Sequence, residues 1–228
     1  MGSISTFLEN FELDRLLFYL MRGFAALLCI TIHEMSHAAA ALALGDPTAR
    51  ERQRISLNPI HHIDPLGLLL MVTAGFGWAK PVPVDMDHFR SPRLGMALTA
   101  LAGPASNFVL ALLALGGASG LWHFVPPVSG AGGEVLNWLF TLLLYTGVLS
   151  VGLGVFNLVP IPPLDGSKVL FSLLPEQRYR VLLRYEHYLT IVLFALVFLG
   201  ALDTPLSLAR DGVLGLLSRV VGLPEGVL

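Results

Sequence analysis

Residues 16–44 read LLFYLMRGFAALLCITIHEMSHAAAALAL. In these 29 residues only Arg22 and Glu34 carry a full charge. A bilayer core about 30 Å thick needs about 20 helical residues, so the stretch is long and apolar enough to cross one. Three further windows read the same way. Residues 94–122 and 135–159 carry no full charge, and residues 185–202 carry only Glu186, near their edge. Composition agrees. Of 228 residues, 54% are hydrophobic and 13% charged, with a mean hydropathy of +0.71. Soluble domains sit near 45–50% and about 25%. The excess of apolar side chains excludes intrinsic disorder, and 14 basic against 16 acidic residues give no cationic surface for nucleic acid. The single cysteine, Cys29, rules out a disulfide framework or a cysteine-based zinc cluster. The expectation is an all-α membrane protein, a polytopic helix bundle forming one integral-membrane domain over residues 1–228.

The segments between the spans carry their own signals. Leu66 to Ala74 is apolar but too short to cross, and lies between Asp64-Pro65 and Gly75-Phe76-Gly77. That pattern predicts a re-entrant segment over about 66–84, whose backbone must be covered by protein. The tail 206–222 gathers Ser207, Arg210, Asp211 and Ser218 on one side of a helical wheel and reads as interfacial, with a further span as the alternative. Arginines 50, 52 and 54, the basic residues Lys80, Arg90 and Arg93, and Lys168, Arg178, Arg180 and Arg184 fall in alternate loops, whereas 123–133 has neither Lys nor Arg. The positive-inside rule then places the basic loops in the cytoplasm and the N-terminus outside. The N-terminus lacks the basic start and early apolar core of a cleavable signal.

Within the first span stands His33-Glu34-Met35-Ser36-His37. Histidines at i and i+4 share one helical face, so both imidazoles can reach one metal ion, with Glu34 beside them to act on a water. Two histidines and a carboxylate, with a fourth position open, suit Zn2+. Unpaired, these groups would be costly at membrane depth. The third ligand must come from elsewhere. Asp165 is the best candidate, because Pro160, Pro162 and Pro163 break the chain before it and Gly166 permits an unusual backbone. A helix-capping aspartate is the competing reading. Asn107, polar within an uncharged stretch, reads either as support for the metal site or as an interhelical contact. Cys29, one turn before His33, reads as a small buried side chain, and Ala38 to Ala41 as a face for close helix packing. His61 and His62 read as loop residues.

These motifs together resemble the site-2 protease family of intramembrane zinc metalloproteases. The likeness rests on His33-Glu34-Met35-Ser36-His37 paired with Asn157-Leu158-Val159-Pro160-Ile161-Pro162-Pro163-Leu164-Asp165-Gly166. Ser56-Leu57-Asn58-Pro59, His62-Ile63-Asp64-Pro65, the stretch from Gly75 to Val84 and Gly103-Pro104-Ala105-Ser106-Asn107 look like its compact prokaryotic branch. The resemblance implies that His33, His37 and Asp165 hold zinc, that Glu34 is the catalytic acid/base, and that Asn157 positions substrate or stabilises the oxyanion. It also implies a membrane-re-entrant β-hairpin near the active site, where Gly75, Phe76, Gly77 and Trp78 bind an unwound substrate by β-augmentation. The implied partners are a transmembrane protein substrate and membrane lipid. The implied location is the prokaryotic cytoplasmic membrane, with the active site toward the cytoplasm. A zinc carrier or an inactive scaffold would share some of these features. A carrier would show repeats and paired broken helices, which are not evident, and metal ligation alone does not need Glu34. The oligomeric state is left open.

Overall fold

A computed structural model describes residues 13–67, 79–126, 128–224 and 226–227. Among these residues six helices of eight residues or more carry the architecture: α1 (Leu13–Ala43), α2 (Pro92–Phe124), α3 (Ala131–Asn157), α4 (Asp165–Ser172), α5 (Glu176–Phe198) and α6 (Asp203–Val221). Three of them, over Arg15–Ala43, Pro92–Phe124 and Ala131–Asn157, are long and apolar enough to cross a membrane. At about 1.5 Å per residue the shortest of these runs is roughly 40 Å, longer than the hydrocarbon layer. Helices of spanning length therefore stand where spans are expected over 16–44, 94–122 and 135–159, their ends displaced by one to four residues.

The fourth expected span, 185–202, takes a different form. Helix α5 starts earlier, at Glu176, and stops at Phe198. Gly200 adopts a left-handed φ of +68°, Ala201 N–H bonds the Leu196 carbonyl and Gly200 N–H bonds that of Val197. This is the Schellman stop that glycine makes easy. The chain then turns by 82° into α6, and the two helices pass the membrane-span criterion only as a bent pair. The tail forms α6 over 203–221 and packs into the bundle, where Leu214 joins Ala111, Leu115, Ala118, Val151 and Leu223 in a buried cluster. Ser119 Oγ–H donates to the Val221 carbonyl at 2.6 Å, fixing that end of α6 against α2.

Small residues let the spanning helices approach. Ala25, Ala38, Ala41, Ala111 and Ala118 are fully buried. A Cβ at Gly147 would lie 2.6 Å from the Leu115 side chain, and one at Gly154 would touch Phe108. Close approach of this kind is how helices associate where lipid tails are as apolar as the side chains. Of the run Ala38 to Ala41, the first and last residues make this contact and Ala39 is exposed.

The hairpin expected over 66–84 is not confirmed. Among the described residues its region holds one isolated antiparallel bridge, Ile63 with Ala79, and no strand. Gly75, Phe76, Gly77 and Trp78 lie outside the described residues. The base of the segment is nevertheless well held. Lys80 N–H bonds the His62 carbonyl at 2.9 Å, and the buried Arg54 guanidinium donates to the carbonyls of both Lys80 and Pro81.

Candidate metal centre

Helix α1 presents His33 and His37 one turn apart, with Nε2 atoms 3.0 Å from each other. Asp165 Oδ2 lies 3.1 Å from each of those nitrogens. All three side chains are buried. Leu164 stands at the N-cap of α4, Asp165 is the first residue of the helix, and its carboxylate is aimed at the imidazoles. The N-cap position that the competing reading gave to Asp165 is thus held by Leu164. The second carboxylate oxygen, Oδ1, faces Lys168 Nζ at 3.6 Å, one turn along α4.

Why Asp165 arrives there follows from the chain around Gly166. A Cβ at Gly166 would lie 2.2 Å from the Leu158 carbonyl oxygen and 2.8 Å from that of Val159. Only a residue without a side chain lets α4 start directly against the end of α3. Gly166 was expected to supply an unusual backbone, but its φ is ordinary and the requirement is close approach. The peptide Pro162-Pro163 in this turn is cis.

The other side of the site is built by α2. His37 Nδ1–H donates to the Thr99 carbonyl at 2.7 Å. This bond orients the ring and leaves Nε2 bare toward His33 and Asp165. Gly103 forms the wall beside the rings. A Cβ there would sit 2.4 Å from His37 Nε2 and 2.7 Å from His33 Cε1. The space is a cradle that a methyl group would fill.

Three electron-pair donors converging at 3.0–3.1 Å suit a cation. Ligands about 2.0–2.1 Å from a tetrahedral zinc stand about 3.3–3.4 Å apart, so the triangle needs only a few tenths of an ångström of relaxation. Two imidazoles and one carboxylate are a catalytic zinc set, three protein ligands with a fourth position for water. His33, His37 and Asp165 form the one such group found among the described residues.

Glu34 is half-buried beside His33. Asn157, the last residue of α3, donates its amide to the Leu153 carbonyl of its own helix at 3.0 Å, and no hydrogen bond joins it to the triad. Cys29 is buried and its thiol donates to the Thr146 carbonyl of α3. His62 is buried and bonds the Ser56 carbonyl, while His61 bonds that of Gln53, so both brace the loop after α1. Sequence reading missed the parts supplied by α2, the Thr99 carbonyl and the Gly103 wall. Neither residue type signals chemistry on its own. It also missed a polar knot outside the bundle, where fully buried Asp46 accepts from Thr48, from Asp85 N–H and from His88 Nδ1.

The description of peptidase family M50 matches residues 23–200, a range that contains the whole triad. "Putative zinc metalloprotease YwhC" of Bacillus subtilis (strain 168) is 37% identical over 223 residues, covering 91% of this chain and 98% of that protein. "Putative zinc metalloprotease Rip2" of Mycolicibacterium smegmatis is 30% identical, over 78% of this chain and 66% of its own length. Its namesake in Mycobacterium tuberculosis (strain H37Rv) is 31% identical over 76% and 62% respectively. No solved structure matches the chain. A family match through most of the sequence, on a bundle with three membrane-length apolar helices, places the chain in peptidase family M50, the site-2 proteases, as a membrane zinc metalloprotease.

Proposed function

We propose that residues 1–228 form one integral-membrane domain that hydrolyses peptide bonds within or beside transmembrane segments of membrane-protein substrates. One observation carries the reading: three metal-ligating atoms meet inside a bundle of apolar helices. A catalytic centre held there meets substrates that share the bilayer. His33, His37 and Asp165 hold Zn2+ in this proposal. When bound, the ion supplies Lewis acidity toward water and toward a peptide carbonyl. Glu34 takes a proton from the attacking water and delivers it to the leaving amine. Thr99 and Lys168 hold the ligands in place through His37 and Asp165.

A peptide bond inside a substrate helix is protected by its own hydrogen bonds, so the helix must open first. Gly75, Phe76, Gly77 and Trp78 are assigned to receive the opened strand. Arg54 and the Ile63–Ala79 bridge, which tie down the base of that segment, support the assignment. Asn157, at the end of α3 and eight residues before Asp165, is assigned to the substrate side of the site. The basic loops after α1, before α2 and around α4 support a cytoplasmic-side active site in a prokaryotic cytoplasmic membrane.

The test is Glu34→Gln compared with wild type by proteomics of the membrane fraction. The variant is expected to bind one zinc per chain, to lose cleavage by about 100-fold or more, and to accumulate an uncut membrane protein. Cleavage at the wild-type rate by a folded Glu34→Gln protein would overturn the proposal.

A further inference from the structure

Asn107 lies in the middle of α2, completely buried. Its Nδ2 is 3.1 Å from His33 Nδ1, and its Oδ1 has no hydrogen-bond partner. The main-chain carbonyl of Asn107 accepts the Ser150 hydroxyl at 2.8 Å, which fixes the residue between α2 and α3. A buried amide oxygen left unpaired costs about 1–3 kcal/mol, so its persistence needs a reason.

The reason lies in the imidazole it touches. A histidine that ligates through Nε2 keeps its proton on Nδ1, and that N–H needs an acceptor to fix the tautomer. His37 has one in the Thr99 carbonyl. His33 Nδ1 faces Asn107. A half-turn about the Cβ–Cγ bond exchanges the amide oxygen and nitrogen with almost no change of shape. It brings the unpaired Oδ1 onto His33 Nδ1 and leaves the buried space as full as before. The cost of one unpaired amide atom is the same in both orientations. The ring therefore decides between them, and a metal on Nε2 makes Nδ1–H the stronger donor.

We propose that Asn107 is the positioning residue of the first histidine: its Oδ1 accepts the Nδ1–H of His33 and so holds Nε2 bare toward the metal. The inference rests on His33 being a ligand. It explains why one polar amide sits in a helix stretch without a full charge. It also makes the two histidines equivalent, each held from behind by an oxygen of α2.

Zinc affinity is measured by chelator competition in detergent for wild type, Asn107→Leu, Asn107→Asp and His33→Ala, with thermal unfolding of each metal-stripped protein. Asn107→Leu, which removes the acceptor, is expected to weaken zinc by about 10–100-fold, while Asn107→Asp, which keeps it, stays within about threefold of wild type. A side chain that only packed would give the reverse for aspartate, because a carboxylate is the more costly group to bury. Imidazole 15N spectra of the zinc-loaded wild type provide a readout that needs no variant to fold, and His33 is expected to show a metal-bound Nε2 and a protonated Nδ1. Wild-type zinc affinity in Asn107→Leu, equal weakening in both Asn107 variants, or an unprotonated His33 Nδ1 would overturn the inference alone. Unchanged affinity in His33→Ala would remove the ligand assignment and the inference with it.

Discussion

Gly103→Ala adds one methyl group to a spanning helix and should cost the protein its metal. The new Cβ would lie 2.4 Å from His37 Nε2, 2.5 Å from His37 Cε1 and 2.7 Å from His33 Cε1. Contacts between such atoms settle at about 3.5–4.0 Å, so the rings or the helix must retreat by about 1 Å. Metal–ligand distances tolerate about 0.2 Å. Loss of a partner behind a ligand weakens metal binding by about 10–100-fold, and a methyl group pressed onto the ligands themselves should do at least as much. We expect about 100-fold weaker zinc binding, or about 2.7 kcal/mol. The fold should survive, because alanine is favoured over glycine in a helix interior by up to about 1 kcal/mol. Gly120→Ala is the control, since it lies on the same helix and a Cβ there meets nothing within 4 Å. The assay is chelator competition for zinc, with thermal unfolding of the metal-stripped proteins alongside. Gly103→Ala protein that is folded and binds zinc within about twofold of wild type would refute the packing argument, since a 1 Å displacement is incompatible with that affinity.

Gly166→Ala should fail for a different reason. Its Cβ would strike two main-chain carbonyls that cannot rotate away, so about 1–3 kcal/mol of stability should be lost together with zinc stoichiometry. Unchanged unfolding and full zinc content would contradict the account of how α4 docks. The polar knot at Asp46 predicts a pH profile. Burial alone would raise the Asp46 carboxyl, but the hydrogen bonds from Thr48, from Asp85 N–H and from His88 outweigh it and hold it at about 2. Its contribution is therefore present above the ordinary value of about 3.9 and is lost as pH falls from about 4 toward 2. His88 is shifted upward, chiefly by its bond to Asp46, so its share is full below about 6.5 and fades as pH rises through the elevated value. The thermal midpoint of wild type minus that of Asp46→Asn should peak between these limits; a pH-independent difference would sink this reading.

The parts of the protein legible from sequence are those whose physics is local. A 29-residue apolar run announces a spanning helix, and His33 and His37 share a face because four residues make about one turn. Asp165 could be found because few acidic residues stand beside apolar helices. Helix ends were displaced because α3 begins within Ala131-Gly132-Gly133-Glu134, residues that hydropathy scores as a loop. The stop at Gly200 was present as a glycine but outweighed by the apolar residues around it. Asn107 stood out as a polar residue in an uncharged stretch but left metal support and interhelical contact undecided, and Gly103 signalled no chemistry of its own, because both roles exist only once α1 and α2 pack. Their partners His37 and His33 lie more than 60 residues away in the chain. Composition and periodicity do not carry such distances.

The two ends of the stretch between Ile63 and Ala79 are stitched to each other by main-chain bonds and riveted by a buried arginine. Closing a loop costs only about 0.6 kcal/mol more for each doubling of its length. A change of length between these two anchors therefore carries only a small closure cost. Under the proposed function the stretch between those anchors is where selectivity would be written, and grafting it between relatives while the anchors stay in place is the direct way to see whether selectivity travels with it.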